Sequence, residues 1–213
     1  HMEVCGRFLR VGGGQLLSRA AHLALKHSLT GMEFAAGIPG SAGGALVMNA
    51  GAYGFEMKDI LREARVMTPE GEVLVLDADR LDLGYRTSCI PSKGYIVLEA
   101  VFGLEPGDRA AIEARMKELS DRRREKQPLE YPSAGSTFKR PQGYFAGKLI
   151  EDAGLRGYQV GGAQVSEKHC GFVINSGSAT ASDVMALCGH VRKKVMETSG
   201  VELEMEVKRW GRF

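Results

Sequence analysis

The chain has 213 residues, of which 44% are hydrophobic and 25% charged, enough for one sizeable hydrophobic core or two smaller ones. Its net charge of +2 indicates neither a nucleic-acid nor a membrane partner, and it contains no apolar run of about eighteen residues that could cross a bilayer. Its 28 glycines are roughly twice the ~7% share of an average protein, which indicates tight turns or backbone that approaches another group closely.

The first part of the chain begins with an apolar run at residues 7–11, followed by three consecutive glycines. Apolar residues at helical spacing then predict a helix whose buried face holds Leu16, Leu17, Ala20, Leu23 and Ala24. Residues 31–53 are too apolar for a linker and too rich in glycine for a regular helix. They predict a buried loop system whose backbone packs against a flat or anionic ligand.

Strand patterns follow this glycine-rich segment. Residues 64–67 and 73–76 flank the turn residues 68–71 and predict a hairpin, and residues 95–102 predict another strand. Residues 109–126 predict an amphipathic helix with Ile112, Met116 and Leu119 on its buried face. Gln127 and Pro128 end this helix, and we place a domain boundary there.

The second part is smaller and mixes strands with helices. The predicted elements are a strand at 136–139, a helix at 145–153, strands at 158–165 and 171–175, a helix at 182–198 and a closing strand at 202–210. Ser182 is the predicted N-cap of the last helix.

The four cysteines, Cys5, Cys89, Cys170 and Cys188, are scattered along the chain and show no zinc-ligand spacing. We expect no metal site. We expect buried or half-buried free thiols in a reducing compartment, the cytoplasm.

Four segments could carry chemistry. Backbone N–H groups of residues 37–44 and 49–54 could bind phosphate or line the edge of a ring, although a glycine-rich turn between core elements is an equal alternative. Arg86, in a short polar turn, could clamp a carboxylate or be a surface arginine. Ser136, with Lys139 and Arg140 nearby, could donate a proton to a carbanion or form a local turn. Glu202, Glu204 and Glu206 lie on one face of the predicted closing strand, as an acidic stripe or with one member in a cleft.

The order of these segments, GIPGSAGGALVMNAGAYG, YRTS, AGSTFKRP and LEMEV, closely resembles the UDP-N-acetylenolpyruvoylglucosamine reductase (MurB) family of flavoenzymes. The stretch GYFAGKLIEDAGLRGYQVGGAQVSEKHCGFVIN resembles it too, and the short connection between FKRP and GYQVGG resembles the second type of the family. The implied fold is α+β: residues 1–126 form part of a two-lobed, vanillyl-alcohol-oxidase-like FAD-binding domain, and residues 127–200 a smaller α+β substrate-binding domain. Residues 201–213 would be a closing strand that returns to the flavin side.

The resemblance also implies an activity. A hydride passes from NADPH to FAD and then to the enolpyruvyl group of UDP-N-acetylglucosamine enolpyruvate, giving UDP-N-acetylmuramate for peptidoglycan synthesis. Ser136 would protonate the intermediate carbon, and Arg86 and Glu206 would stabilise the enol form, Arg86 through the substrate carboxylate. The LExEV pattern selects Glu206 among the three glutamates.

Further residues are implied to bind the two ligands. The flavin-contacting residues would be Gly37, Ile38, Pro39, Gly40, Ser41, Gly43, Gly44, Asn49, Gly51 and Tyr53. The nucleotide-sugar side would hold Arg86, Lys139, Arg140, Lys168 and His169.

One departure from the family pattern bears on cofactor binding. The family begins with a lobe whose glycine-rich loop cradles the flavin pyrophosphate, whereas residues 11–14 of this chain resemble the segment after that lobe. We therefore expect a truncated chain that binds FAD weakly or not at all. The alternatives are a related flavin oxidoreductase with another substrate and a nucleotide-sugar-binding fragment without activity.

Overall fold

The computed structural model describes residues 1–211 and divides into two compact units. The first unit is His1–Arg123, and the second begins at Arg124. Each unit has a hydrophobic core cluster of its own. The chain is mixed α+β throughout, in agreement with the expected fold class.

An antiparallel sheet of five strands, in the order β1-β2-β8-β6-β7, forms the centre of the first unit. Its strands are β1 (Met2–Cys5), β2 (Phe8–Gly12), β6 (Leu61–Met67), β7 (Val73–Asp77) and β8 (Ile96–Gly103). The predicted hairpin at residues 64–76 is confirmed as β6 and β7, which pair from Met67 with Val73 to Glu63 with Asp77. β1, which is not predicted, pairs with β2 at one edge of the sheet.

Shorter elements and helices pack around this sheet. Two small pairs, β3 (Leu29–Thr30) with β9 (Glu105–Pro106) and β4 (Gly51–Ala52) with β5 (Phe55–Glu56), connect the larger elements. The helices are α1 (Leu17–Lys26), α2 (Ala42–Val47), α3 (Met57–Ile60) and α4 (Arg109–Lys126). The bounds predicted for α4 are confirmed, and Ile112, Met116 and Leu119 are its buried residues. The face predicted for α1 is only partly right, because Leu16 is 51% exposed and lies before the helix.

The glycine-rich segment is not the loop system that its composition predicts. It contains a 3₁₀ helix, Glu33–Ala35, and the α-helix α2, which Ser41 caps by accepting a hydrogen bond from the Gly44 amide at 3.1 Å. Glycine inside a helix costs about 1 kcal/mol relative to alanine. Here close packing offsets that cost, because a Cβ built on Gly43 would lie 3.0 Å from the carbonyl oxygen of Gly13.

The second unit contains a sheet of four strands in the order β10-β13-β12-β11. Its elements are β10 (Ser133–Ser136), α5 (Ala146–Asp152), β11 (Gln159–Val160), β12 (Ala163–Val165), β13 (Phe172–Asn175) and α6 (Ala181–Ser199). The buried side chains of α5 and α6, together with Val165 and Val173, form its core.

Several local predictions are wrong. The strand predicted at residues 136–139 is β10, Ser133–Ser136, and the strand predicted at 158–165 is the antiparallel pair of β11 and β12. Thr180, not Ser182, is the N-cap of α6, and it forms a reciprocal capping box with Asp183. The predicted closing strand is a single isolated bridge, Phe138 with Met205, and residues 212 and 213 of that prediction lie outside the described residues. Cys5 is exposed because it ends the edge strand β1, whereas the other three thiols are buried, and all four are free.

No helix among residues 1–211 is long and apolar enough to cross a membrane. Within the same residues, no cluster of His, Cys, Asp and Glu side chains could hold a metal ion.

Candidate active-site residues

Arg86 lies in a strained two-residue turn of the first unit. Gly84 and Thr87 exchange both backbone hydrogen bonds around Tyr85 and Arg86, at 3.1 and 3.3 Å. Arg86 has φ +53°, the left-handed conformation that usually requires glycine at this turn position. An arginine held in such a conformation is typical of a functional position, because the backbone strain offers no gain in stability.

The Arg86 guanidinium contacts the Gly51 carbonyl and the ring of Tyr85. Its Nη2 donates to the Gly51 carbonyl at 3.2 Å, and its Cζ lies 5.2 Å from the centre of the Tyr85 ring. The side chain is half-buried. A guanidinium carries five N–H donors in a planar fork, and this geometry matches that of a carboxylate.

Asn49 connects this turn to the glycine-rich segment. Its side chain is fully buried, and its Nδ2 donates to Glu56 Oε2 at 3.1 Å and to the Gly84 carbonyl at 3.0 Å. Its Oδ1 accepts a hydrogen bond from the Lys58 amide at 2.9 Å. Both amide hydrogens are therefore used within the protein. The geometry supports a positioning role for Asn49 next to Arg86.

Gly51 and Tyr53 form the small hairpin of β4 and β5. A Cβ built on Gly51 would lie 2.6 Å from the Phe55 carbonyl oxygen, so only glycine fits there. Tyr53 has φ +57°, is 38% exposed, and donates its hydroxyl to the Leu119 carbonyl of α4 at 3.0 Å. The fold of the first unit therefore accounts for the glycine at position 51 and for the hydrogen bond of Tyr53.

The N–H groups at the start of α2 already have partners. The amides of Ala42, Gly43 and Gly44 donate to Gln15 O, Gly13 O and Ser41 Oγ at 2.8, 2.8 and 3.1 Å. A phosphate therefore finds no donor in these three amides, contrary to the phosphate-binding interpretation of this stretch.

The loop before α2 has a different character. Gly40 has φ +118° with open space where its Cβ would stand, and Pro39 and Gly37 are exposed beside half-buried Ile38. The residues of this loop are themselves uncharged, and exposed backbone of this kind suits the face or edge of a flat ring. The Arg123 side chain packs against Gly37, 3.3 Å from the position of a Cβ there.

Ser136 ends β10 directly after a β-bulge. Ser133 pairs with Ile174 and Ser136 with Phe172, so β10 has one residue more than β13 between these pairs. Gly135 occupies the bulge with φ +83°, a conformation that favours glycine. Bulges of this kind redirect the following side chain, and Ser136 is exposed whereas its neighbour Thr137 is buried.

Thr137 links Ser136 to the closing segment. Its amide donates to the Gly171 carbonyl at 2.9 Å, and its Oγ1 accepts from the Val173 amide at 2.9 Å. Its own carbonyl accepts from the Glu206 amide at 2.9 Å. The second unit thus places the backbone of Glu206 beside the residue that follows Ser136. Sequence reasoning missed Thr137, although its position directly after Ser136 in the AGSTFKRP segment could have indicated it.

The three glutamates of the closing segment have different surroundings. Glu202 pairs with Arg192 at 3.0 Å and Glu204 with Lys139 at 2.5 Å, and both carboxylates are strongly exposed. Glu206 is half-buried. The two exposed glutamates therefore belong to surface ion pairs, and the half-buried one is the member that the resemblance selects.

The remaining predicted substrate residues are engaged with neighbouring groups in the second unit. Lys139 is held by Glu204, and the Cζ of Arg140 lies 3.9 Å from the centre of the Phe145 ring. Lys168 Nζ donates to the Arg124 carbonyl at 2.8 Å and lies 3.5 Å from a Glu130 carboxylate oxygen. Arg140 also donates its Nε to the Tyr144 carbonyl at 3.2 Å.

His169 is half-buried beside β13. Its Nδ1 accepts a hydrogen bond from the Gly171 amide at 3.0 Å, and its ring meets the Phe172 ring edge-on at 5.1 Å. Burial lowers the pKa of the imidazole below its ordinary 6.5, and the positive charge of Arg156 lowers it further. The ring is therefore neutral near pH 7, as an Nδ1 acceptor requires.

The structure groups the predicted catalytic residues by unit. Arg86 lies in the first unit with Asn49 and Gly51, and Ser136 and Glu206 lie in the second with His169.

Two family models match the chain. Residues 127–210 match the C-terminal domain of UDP-N-acetylenolpyruvoylglucosamine reductase, and residues 1–77 match an FAD binding domain.

Relatives with this description are similar along nearly the whole chain. The protein of Agathobacter rectalis named UDP-N-acetylenolpyruvoylglucosamine reductase is 60% identical over 205 residues, which cover 96% of this chain and 65% of the relative. That of Exiguobacterium sibiricum is 53% identical over 207 residues, covering 97% of this chain and 68% of the relative. The chain thus spans less than two thirds of the first relative's length.

A solved structure has the same fold. The crystal structure of UDP-N-acetylenolpyruvylglucosamine reductase (MurB) from Thermus caldophilus superimposes with a TM-score of 0.84 at 37% identity, covering 95% of this chain and 72% of the other. Similarity of this extent, in both sequence and fold, shows that the chain belongs to the UDP-N-acetylenolpyruvoylglucosamine reductase family.

Proposed function

We propose that the chain carries the substrate-reducing machinery of a UDP-N-acetylenolpyruvoylglucosamine reductase. The reaction would be the NADPH-dependent, FAD-mediated reduction of UDP-N-acetylglucosamine enolpyruvate to UDP-N-acetylmuramate, a precursor of peptidoglycan. The hydrogen bond from the Glu206 amide to the Thr137 carbonyl carries this proposal, because it brings the segments of the expected proton donor and the expected carboxylate together. A cytoplasmic location fits the four free thiols and a nucleotide-sugar substrate.

The residues of the first unit fit the flavin ring better than its phosphates. Gly40 and Pro39 offer exposed backbone without charge, whereas the first amides of α2 are already bonded within the protein. Residues 37–41 would thus contact the ring, and the pyrophosphate would need donors other than these amides. When bound, FAD supplies the hydride chemistry that no amino-acid side chain can perform.

The chain's own residues have three roles in this proposal. The Arg86 guanidinium binds the substrate carboxylate and favours the enol form by its positive charge. The Ser136 hydroxyl delivers a proton to the carbon of the enolpyruvyl group. The Glu206 carboxylate stabilises the enol form, and Lys139 and Arg140 face the nucleotide-sugar phosphates.

The decisive experiment compares Ser136→Ala with Ser133→Ala, which removes an exposed hydroxyl from the other end of the same strand. Both substitutions are made in a full-length version that includes the family's N-terminal lobe. It is supplied with FAD, NADPH and UDP-N-acetylglucosamine enolpyruvate, and NADPH oxidation and UDP-N-acetylmuramate formation are followed separately. We expect Ser136→Ala to lower product formation by a factor of about 10² or more, as loss of a general acid does, with NADPH-dependent flavin reduction unchanged. Ser133→Ala should retain product formation.

Three outcomes would contradict the proposal. Equal loss of both half-reactions in Ser136→Ala would remove the serine from the proton-transfer step. Calorimetric binding of the enolpyruvyl nucleotide without any flavin signal would favour a nucleotide-sugar-binding module, and reduction of a different substrate would favour a related flavin oxidoreductase.

A further inference from the structure

The turn that contains His169 is bonded, through Gly171, to Thr137, the residue that follows Ser136. Ser166 Oγ accepts from the amides of Lys168 and His169 at 3.2 and 3.3 Å, and it is buried. The amide of Phe172 donates back to the His169 carbonyl at 3.0 Å. The turn is therefore closed by its own hydrogen bonds before any ligand is considered.

The imidazole ring of His169 packs against two glycines, Gly171 and Gly147. A Cβ built on Gly171 would lie 2.9 Å from His169 Cε1 and 3.0 Å from Nδ1, closer than real contacts allow. A Cβ built on Gly147 of α5 would lie 3.2 Å from the same Cε1. A side chain at Gly171 would thus collide with the ring, and one at Gly147 would displace it by a few tenths of an ångström.

A series of hydrogen bonds runs from this ring to the expected site. The Gly171 amide donates to His169 Nδ1 at 3.0 Å, and the Gly171 carbonyl accepts from the Thr137 amide at 2.9 Å. The Thr137 carbonyl then accepts from the Glu206 amide at 2.9 Å. Both polar groups of Gly171 are therefore engaged, so the ring and Thr137 together fix the orientation of this residue.

We propose that His169 is a positioning residue for the reductase reaction. The neutral ring accepts a hydrogen bond from the Gly171 amide at Nδ1, and the Gly171 carbonyl accepts one from the Thr137 amide. Thr137 follows Ser136 in the chain, and its carbonyl accepts a hydrogen bond from the Glu206 amide. The part of this inference that concerns the reaction rests on the proposed function, whereas the positioning itself is a property of the folded second unit.

The protonation state of the ring decides whether this arrangement is possible. A protonated imidazole has two N–H donors, so its Nδ1–H would face the Gly171 N–H and the hydrogen bond would be lost. The charged group that acts on the ring is Arg156, whose guanidinium pairs with Glu151 at 2.6 Å and donates to the Glu167 carbonyl. The contacts from α5 and β13 come from Gly147, Gly171 and Phe172, which do not titrate.

Two substitutions separate positioning from direct contact with a ligand. An asparagine can accept a hydrogen bond from the amide two residues later, the pattern that His169 Nδ1 uses, so His169→Asn retains the acceptor. His169→Gln instead places its amide near the position of Nε2, the ring nitrogen that could reach a ligand. Positioning predicts that His169→Asn rescues the wild-type behaviour, and ligand contact predicts that His169→Gln does.

The experiment measures amide hydrogen exchange by NMR on the ¹⁵N-labelled chain, wild type and both variants, at pH 7. We expect exchange at Gly171, Thr137 and Glu206 to be about tenfold faster or more in His169→Gln, and close to wild type in His169→Asn. Wild-type chain at a pH below the titration of His169, corrected for intrinsic exchange, should show the same loosening as His169→Gln. This second measurement needs no variant and so stands even if a variant fails to fold.

Activity gives the link to the reaction. In a full-length version that includes the family's N-terminal lobe, assayed with FAD, NADPH and UDP-N-acetylglucosamine enolpyruvate, His169→Gln should lower kcat with little change in KM. His169→Asn should retain the wild-type kcat. Unchanged protection of Thr137 and Glu206 in His169→Gln would overturn the proposal. If His169→Asn keeps the wild-type amide exchange but raises KM, and His169→Gln does not raise KM, the proposal is overturned in favour of direct contact with the ligand. A wild-type full-length version that neither binds nor reduces the enolpyruvyl substrate would refute the proposed function, while the exchange data on the chain itself would still decide the positioning role.

Discussion

The side-chain amide of Asn49 donates to the carbonyl of Gly84 at 3.0 Å and so fastens the turn that carries Arg86 to the end of the glycine-rich segment. The two residues are 35 positions apart in the sequence. The same side chain binds Glu56 and the Lys58 amide. One buried amide thus joins the end of α2, the hairpin of β4 and β5, and the Arg86 turn.

Removing this amide should destabilise the first unit. We expect Asn49→Ala to lower the free energy of unfolding by about 3 kcal/mol, because it leaves buried polar groups unsatisfied and a non-glycine residue at φ +40°. Denaturant unfolding measures the loss. Asn175→Ala, which removes only hydrogen bonds to the nearby amides of Gly177 and Ala179, should cost about 1 kcal/mol. Equal effects of the two substitutions would contradict the connecting role.

Because Arg86 has a strained backbone, we expect a glycine variant at this position to be more stable than an alanine variant, the reverse of the usual order. Arg86→Gly and Arg86→Ala both remove the guanidinium, but only glycine adopts φ +53° without steric cost. We expect the glycine variant to be more stable by about 1 kcal/mol in thermal or denaturant unfolding. At Arg65 in β6 the same pair should rank the other way, since glycine weakens a strand. If alanine is the more stable choice at both positions, the turn is not strained.

The N-cap of α6 can be tested with two neighbouring hydroxyls. The Thr180 Oγ1 accepts from the Asp183 amide at 3.1 Å, and Asp183 returns a bond to the Thr180 amide at 2.9 Å. Thr180→Ala should therefore lower the stability of the second unit by about 1 kcal/mol. Ser182→Ala, within the first turn, should change it by only a few tenths of a kcal/mol. A larger loss of stability in Ser182→Ala than in Thr180→Ala would show that Ser182 is the N-cap, as the sequence predicts.

The four thiols should differ sharply in reactivity. Cys5 is exposed, whereas burial raises the pKa of the Cys188 thiol to about 11 and also raises that of Cys170. Because the thiolate is the reactive form, one thiol equivalent should react rapidly with a disulfide reagent at pH 8 under native conditions. Cys5→Ser should abolish this rapid phase, and all four thiols of the wild type should react in denaturant. A rapid phase of two or more equivalents would contradict the burial of the others.

His169 should contribute a pH dependence to stability. Its pKa in the folded chain is lower than the ordinary 6.5 because the ring is buried and faces Arg156. As the pH falls through 6.5, the unfolded chain takes up a proton before the folded chain does, so the free energy of unfolding decreases. The contribution of His169 to the free energy of unfolding is complete above the pKa of the unfolded chain. It is lost as the pH falls towards the lower pKa of the folded chain.

The variant His169→Asn isolates this contribution, since carboxylates titrate in a more acidic window. Unfolding measured across the pH range around and below 6.5 should give a shallower slope for the variant than for the wild type. Identical slopes would show that the ring titrates with the same pKa in both states.

Local sequence patterns were sufficient for several elements. The spacing of Ile112, Met116 and Leu119 predicted α4 with its observed bounds, and the alternation on either side of residues 68–71 predicted the hairpin of β6 and β7. The order of the glycine-rich, YRTS, AGSTFKRP and LEMEV segments indicated the family that the comparisons support. These signals are read within a few residues, because helix and strand periodicity are local properties of the chain.

What the tertiary structure decided depends on partners that are distant in the sequence. The amides of α2 are bonded to Gly13 and Gln15, the Asn49 amide to Gly84, and the Glu206 amide to Thr137. No pattern within a short segment specifies such partners, since a hydrogen bond between remote residues exists only after the chain has folded. For the same reason composition alone suggested free N–H groups in the glycine-rich segment, where folding had already satisfied three of them.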